Sequence, residues 1–127
     1  MCIDQAIHER PQFISRTRDK AVLLSESTLC SLLSFIKFDC QIQKDGEAFV
    51  ITNEIISDII TSGETEELAK EDLCRQLLEY AEDYYTEFGL YSRSPNRKEH
   101  PPYVMLFLTL GSPDKLMGIL QCRAGKN

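Results

Sequence analysis

The chain has 127 residues, 43% of them hydrophobic and 27% charged, with a formal net charge of −6. That size is one domain with at most a terminal appendage, and it can bury a core without metal or disulfide staples. No apolar run approaches the roughly 18 residues of a membrane span. The first twenty residues lack the apolar core of a signal peptide, so a cytoplasmic protein is expected.

The charge is unevenly spread. Residues 1–24 hold four Lys/Arg against three Asp/Glu, net +1; residues 25–90 hold four against fifteen, net −11; residues 91–127 hold six against two, net +4. An acidic middle with a basic tail gives asymmetric surfaces, which steer partners rather than dictate a fold. Five cysteines, at positions 2, 30, 40, 74 and 122, form no CxxC pair. An odd count without that spacing predicts free, mostly buried thiols rather than a disulfide framework or a zinc ribbon.

In chain order, residues 1–20 read as an arm with scattered arginines. Ala21–Leu24 is a short strand candidate. Ser25 or Ser27 can cap a helix over 26–37, where Leu29, Leu32, Leu33 and Ile36 recur at helical spacing. From Phe38 the period becomes two, and Lys44-Asp45-Gly46-Glu47 signals a hairpin returning through Ala48–Thr52. Ile55–Thr61 reads as a third strand of an antiparallel meander. Thr65 caps a long helix with Glu66 and Glu67 in its first turn, and Leu73, Leu77, Ala81 and Tyr84 along one face. Gly89 is its expected stop. Residues 92–102 form a proline-containing loop. Tyr103–Leu110 is apolar and fits either a buried strand or a short helix. Ser112 and Pro113 open a last helix closing near Gln121.

The pattern predicts an α+β fold: a small antiparallel three- to four-stranded sheet packed on a long helix. Its divisions are an arm over 1–20, an α/β core over 21–90 and a helical C-terminal extension over 91–127.

No catalytic pattern rises above background. His8 and His100 lack metal-ligand neighbours at helical spacing. Adjacent carboxylates such as Glu82/Asp83 point to different helix faces. No phosphate-cradling glycine loop is present, and neither a cofactor nor a metal is expected. The residual enzymatic reading would use Cys40 or His100 in a polar pocket. Two binding signals remain. Arg16, Arg18 and Lys20, with Arg10, could contact DNA phosphates. Tyr84, Tyr85 and Tyr91, within a run that also holds Tyr80 and Phe88, are aromatic anchors of the kind that dock a partner. Arg97 and Lys98 are expected to fold back on Glu82, Asp83 and Glu87.

The string LLEYAEDYYTEFGLYSRSPNRKEHPPYV resembles the C-terminal signature of small bacterial antitoxins of RelE/RelB-type toxin–antitoxin systems, related to the Phd/YefM (prevent-host-death) group. AVLLSESTLCSLL and ITSGETEELAKEDL fit the same layout, so the resemblance spans about Ala21 to Leu120. It implies a non-enzymatic protein without cofactor that neutralises a small basic ribonuclease toxin, and a homodimer that represses its own operon through operator DNA. The strand–strand–strand–helix order is also similar to HicB-type antitoxins, and a toxin-free dimeric scaffold is a further alternative.

Overall fold

The computed structural model describes residues 10–15 and 17–124. It has two compact units, Met1–Phe35 and Ile36–Asn127.

In the first unit, β1 (Gln12–Ser15) pairs antiparallel with β2 (Lys20–Leu23), placing Phe13 opposite Val22. The stretch expected as an arm thus carries a strand from residue 12. Helix α1 (Glu26–Leu33) follows, and its Ser25 cap accepts from the Thr28 amide at 3.2 Å. It stops short of the expected Lys37. Ser34 donates from its hydroxyl to the Ser31 carbonyl at 2.8 Å, using up an acceptor of the last turn.

The second unit is built on a four-stranded sheet. Its members are β3 (Phe38–Asp45), β4 (Ala48–Thr52), β5 (Thr61–Gly63) and β6 (Leu120–Ala124), in the order β5-β4-β3-β6. β3, β4 and β5 form the expected antiparallel meander. Gly46 turns the first hairpin at φ 64°, a left-handed value that costs glycine nothing. β6 is parallel to β3 and replaces the C-terminal end of the expected last helix.

The predicted strand over Ile55–Thr61 is mostly loop, and β5 begins only at Thr61. Asn53 takes the backbone out of the sheet. Its side-chain oxygen accepts from the Ile56 amide at 2.6 Å, and its amide nitrogen donates to the Ile59 carbonyl at 3.1 Å. With these bonds Ile56 and Ile59 enter the core from a loop. The adjoining β5 runs close under the next helix: a Cβ on Gly63 would lie 2.7 Å from the Ala69 nitrogen, so only glycine fits.

Helix α2 (Glu66–Thr86) starts at the expected cap, with the Thr65 hydroxyl accepting from the Leu68 amide at 3.1 Å. Leu73, Leu77, Ala81 and Tyr84 are fully buried along one face, as the spacing requires. They pack with Phe38, Cys40 and Ile51 of the sheet. The helix ends earlier than Gly89: Glu87 leaves helical geometry at φ −114°, ψ 40°, and Gly89 lies inside a short helix α3 (Phe88–Tyr91).

The apolar stretch that sequence left open is helix α4 (Pro101–Leu110), with Pro101 and Pro102 in its first turn. Gly111, at φ 76°, closes it by donating to the Phe107 carbonyl at 2.9 Å. Helix α5 (Pro113–Met117) opens on Ser112 as expected and sends Leu116 into the core. The result is a mixed α+β fold; in the second unit the long helix α2 packs on the four-stranded sheet, and α4 and α5 pack against α2. Among the described residues no helix is long and apolar enough to cross a membrane.

Candidate partner-binding site

The aromatic run ending α2 divides between interior and surface. Tyr84 is fully buried, and its hydroxyl donates to the Arg97 carbonyl at 2.7 Å. Burial pushes its ionisation upward. Tyr91 is half-buried, edge-on to Tyr84 at 5.2 Å and stacked on Tyr80 at 6.3 Å between ring centres. The Arg97 guanidinium lies 4.9 Å from the centre of the Tyr91 ring, a cation–π contact. Tyr85 points the other way and is 63% exposed; Phe88 and Leu90 are also exposed. Of the three tyrosines singled out from sequence, Tyr84 and Tyr91 come together and Tyr85 stands apart.

Arg97 of the basic loop pairs at the surface with a different acid from the ones expected. Arg97 reaches Asp58 at 3.9 Å rather than the carboxylates of α2. Lys98 stays exposed. The α2 acids keep a local pattern, in which Arg75 bridges Asp72 and Glu79 and Glu66, Glu67, Glu71, Glu82 and Asp83 face outward.

His100 occupies the join between the loop and α4. Its Nε2 contacts the Ile55 carbonyl at 2.8 Å, and its Nδ1 contacts the Tyr80 hydroxyl at 2.7 Å. A carbonyl can only accept, so Nε2 carries the proton and Nδ1 accepts from Tyr80. Burial pushes the Tyr80 hydroxyl up to about 12, with nearby Arg97 acting in the opposite direction. A hollow of about 550 Å³ borders this pair, lined also by Glu54, Asp58 and Glu99. The buried polar groups in its wall already satisfy one another, so none is left for a ligand.

Cys40 is bonded to Cys122, with Cα atoms 4.6 Å apart on the paired strands β3 and β6. The expectation of free thiols is corrected at this pair; Cys30 and Cys74 are free, and Cys2 lies outside the described residues. Burial, then the charges of Asp114 and Glu71, push the Cys74 thiol up to about 11. With its sulfur in a disulfide, Cys40 offers no thiolate, and both ring nitrogens of His100 are engaged. The enzymatic reading therefore has no thiolate at Cys40, and His100 serves as a buried tie between Tyr80 and the Ile55 carbonyl. Of the residues proposed for DNA, Arg18 and Lys20 are exposed and Arg16 lies outside the described residues.

Exposed apolar side chains thus lie over an interior whose buried polar side-chain atoms all have hydrogen-bond partners among the described residues. The sequence model of a family described as PHD_like, antitoxin of toxin-antitoxin, RelE / RelB, TA system, matches residues 1–122. The chain belongs to this antitoxin family. It is also similar to the crystal structure of an antitoxin part of a proposed toxin/antitoxin system from Syntrophomonas wolfei subsp. wolfei. That likeness has a TM-score of 0.91 and 31% identity, covering 97% of this chain and 88% of the other. No curated protein matches. The antitoxin is thus a non-enzymatic regulatory protein.

Sequence reasoning passed over Leu90 and took Phe88 both as a widening of the long helix's apolar face and as part of the aromatic run. Both follow the acidic end of α2, beyond the point where its apolar face has met the core. Apolar residues that continue past a helix's buried face were the available signal.

Proposed function

We propose that this antitoxin neutralises a RelE-type ribonuclease toxin, held by the surface at the end of α2. The observation that carries the reading is that Tyr85, Phe88 and Leu90, three large apolar side chains within six residues of sequence, are all exposed, as are the neighbouring carboxylates Glu82, Asp83 and Glu87. Apolar anchors supply binding energy where water is excluded, and surrounding charge sets encounter rate and partner choice. A basic toxin fits such a surface. Tyr84 and Tyr91 act from beneath it: Tyr84 fixes the loop through Arg97, and Tyr91 holds the guanidinium. The residues supporting this face are positioning residues, and Tyr85 is the direct anchor.

The working form is a cytoplasmic homodimer of the Phd/YefM type. Four-residue strands in a two-stranded sheet are marginal alone. In β1 and β2 the facing Phe13 and Val22 are both exposed, which favours cover by another copy. Operator DNA is the partner proposed for the exposed Arg18 and Lys20, as phosphate contacts. Light scattering at micromolar concentration tests the dimer; a species of 14.5 kDa alone rejects it. Capture of the protein encoded beside this gene tests the toxin. A folded antitoxin that retains no neighbour would favour a toxin-free scaffold instead.

A further inference from the structure

Two observations on the sheet edge have no part in toxin binding. Cys40 and Cys122 are register partners in the parallel pair β3/β6 and share a disulfide. β6 is also the edge strand: among the described residues it pairs with β3 alone, and Gln121, Arg123 and Ala124 are exposed along it. We propose that Cys40–Cys122 is a reversible thiol–disulfide exchange site for a dithiol protein or a small thiol, and that its state decides whether β6 stays on the sheet. The proposal is independent of the toxin reading.

The geometry defines the order of events. Cys40 is 2% exposed, whereas Cys122 is half-buried on the edge strand. A hollow of about 470 Å³ is lined by Asp39, Cys40, Gln41 and Arg123 among others and not by Cys122, so Cys122 is approached from solvent at the strand edge. An incoming thiolate attacks the more accessible Cys122 Sγ, and the Sγ–Sγ bond breaks. Cys40 leaves as thiolate and takes a proton. A second thiol, from the same dithiol or from another small-thiol molecule, then attacks the mixed disulfide, frees Cys122 as a thiol, and leaves the reductant as a disulfide. Two electrons and two protons pass to the antitoxin.

The same geometry limits the extent of release. Just before β6 the chain is anchored twice: Leu116 is fully buried, and the Phe38 amide donates to the Ile119 carbonyl at 2.9 Å. Among the described residues, beyond Ile119 the strand is held by the short β3 ladder, the disulfide, the partly buried Leu120 and Cys122, and an exposed Arg123–Asp39 pair at 4.0 Å, which contributes little. A five-residue edge strand exposed at Gln121, Arg123 and Ala124 is a low-stability segment, so loss of the covalent tie frees β6 and leaves α5 in place. The uncovered edge of β3 then offers unpaired backbone groups.

The test uses the full chain equilibrated with oxidised glutathione, then treated with dithiothreitol. Intact mass counts bonded cysteines, and amide exchange reports each strand. The expected result is a gain of two hydrogens on reduction, with exchange of β6 amides about tenfold faster or more and that of Leu73–Ala81 in α2 unchanged. The C122S variant should match the reduced protein and ignore dithiothreitol. Two results overturn the proposal: no Cys40–Cys122 bond formed with oxidised glutathione, or β6 exchange that is the same in both states. Both are read by comparing the wild-type protein with itself, so poor folding of the variant affects neither.

Discussion

The Tyr80 hydroxyl donates to His100 Nδ1 at 2.7 Å, and the far side of the same ring donates to the Ile55 carbonyl at 2.8 Å. One imidazole thus ties α2, the start of α4 and the β4–β5 loop. Replacing His100 by alanine leaves a hydroxyl and a carbonyl without their partner. A cost of roughly 2–4 kcal/mol is expected, since each unsatisfied buried group costs about 1–3 kcal/mol. Y80F removes one bond and should cost about 1 kcal/mol. Urea unfolding measures both; an H100A loss no larger than that of Y80F would show that the Ile55 contact contributes little.

The tyrosines at 84 and 85 should separate stability from binding. Y84A removes a fully buried ring and is expected to cost about 3–5 kcal/mol, as for other buried aromatics. Y84F, which loses only the bond to the Arg97 carbonyl, should cost about 1 kcal/mol. Y85A should leave stability within about 0.5 kcal/mol. Its effect belongs in toxin affinity, at about 2 kcal/mol, or roughly 30-fold in Kd. Denaturation paired with a binding titration distinguishes the two positions, and a large melting shift in Y85A would move the interface elsewhere.

Alkaline pH should destabilise the protein in a defined window. The Tyr80 hydroxyl ionises near its ordinary value of 10 in the unfolded chain and near 12 in the folded one, because burial opposes the charge. Between those values the unfolded chain has lost a proton that the folded one keeps, so stability falls as pH rises. The contribution is complete below pH 10 and lost progressively toward pH 12. Tyr84, also shifted upward by burial, adds in the same direction. Thermal melts from about pH 9 to 12 should show this decline, and Y80F should flatten it.

N53A removes both side-chain bonds that shape the β4–β5 loop. A loss of roughly 2 kcal/mol or more is expected, because the Ile56 amide and the Ile59 carbonyl are left inside. Exchange of the Ile56 amide should rise well before that of Leu73 or Leu77.

Asn53 also shows where sequence stops being readable. The apolar run Ile55–Ile60 has strand composition, and only the side chain of Asn53 turns it into a loop. A local bond of that kind leaves no periodic trace. The long helix was legible because Thr65, Leu73, Leu77, Ala81 and Tyr84 state cap and face together. The hairpin was legible because period two breaks at Asp45-Gly46. The end of the long helix was misplaced because Gly89 is a good stop, yet the chain bends at Glu87 and spends the glycine inside α3. The disulfide was hidden by β6. With Leu120–Gln121 taken as the end of a helix, Cys122 had no strand on which to face Cys40. At the site itself, sequence found the aromatic run but not which rings the core would claim; that depends on the register of α2 against α4 and the sheet.

The most direct measurement is capture by the tagged antitoxin of the basic protein encoded beside its gene, both co-expressed and washed mildly, with wild type and Y85A/L90A compared. Wild type should give a stoichiometric complex. The double variant should lose most of the retained toxin while its melting temperature stays near that of wild type. A neighbour retained equally well by both proteins would rule out the assigned face, and a folded wild-type protein that retains no neighbour would rule out the toxin-binding function itself.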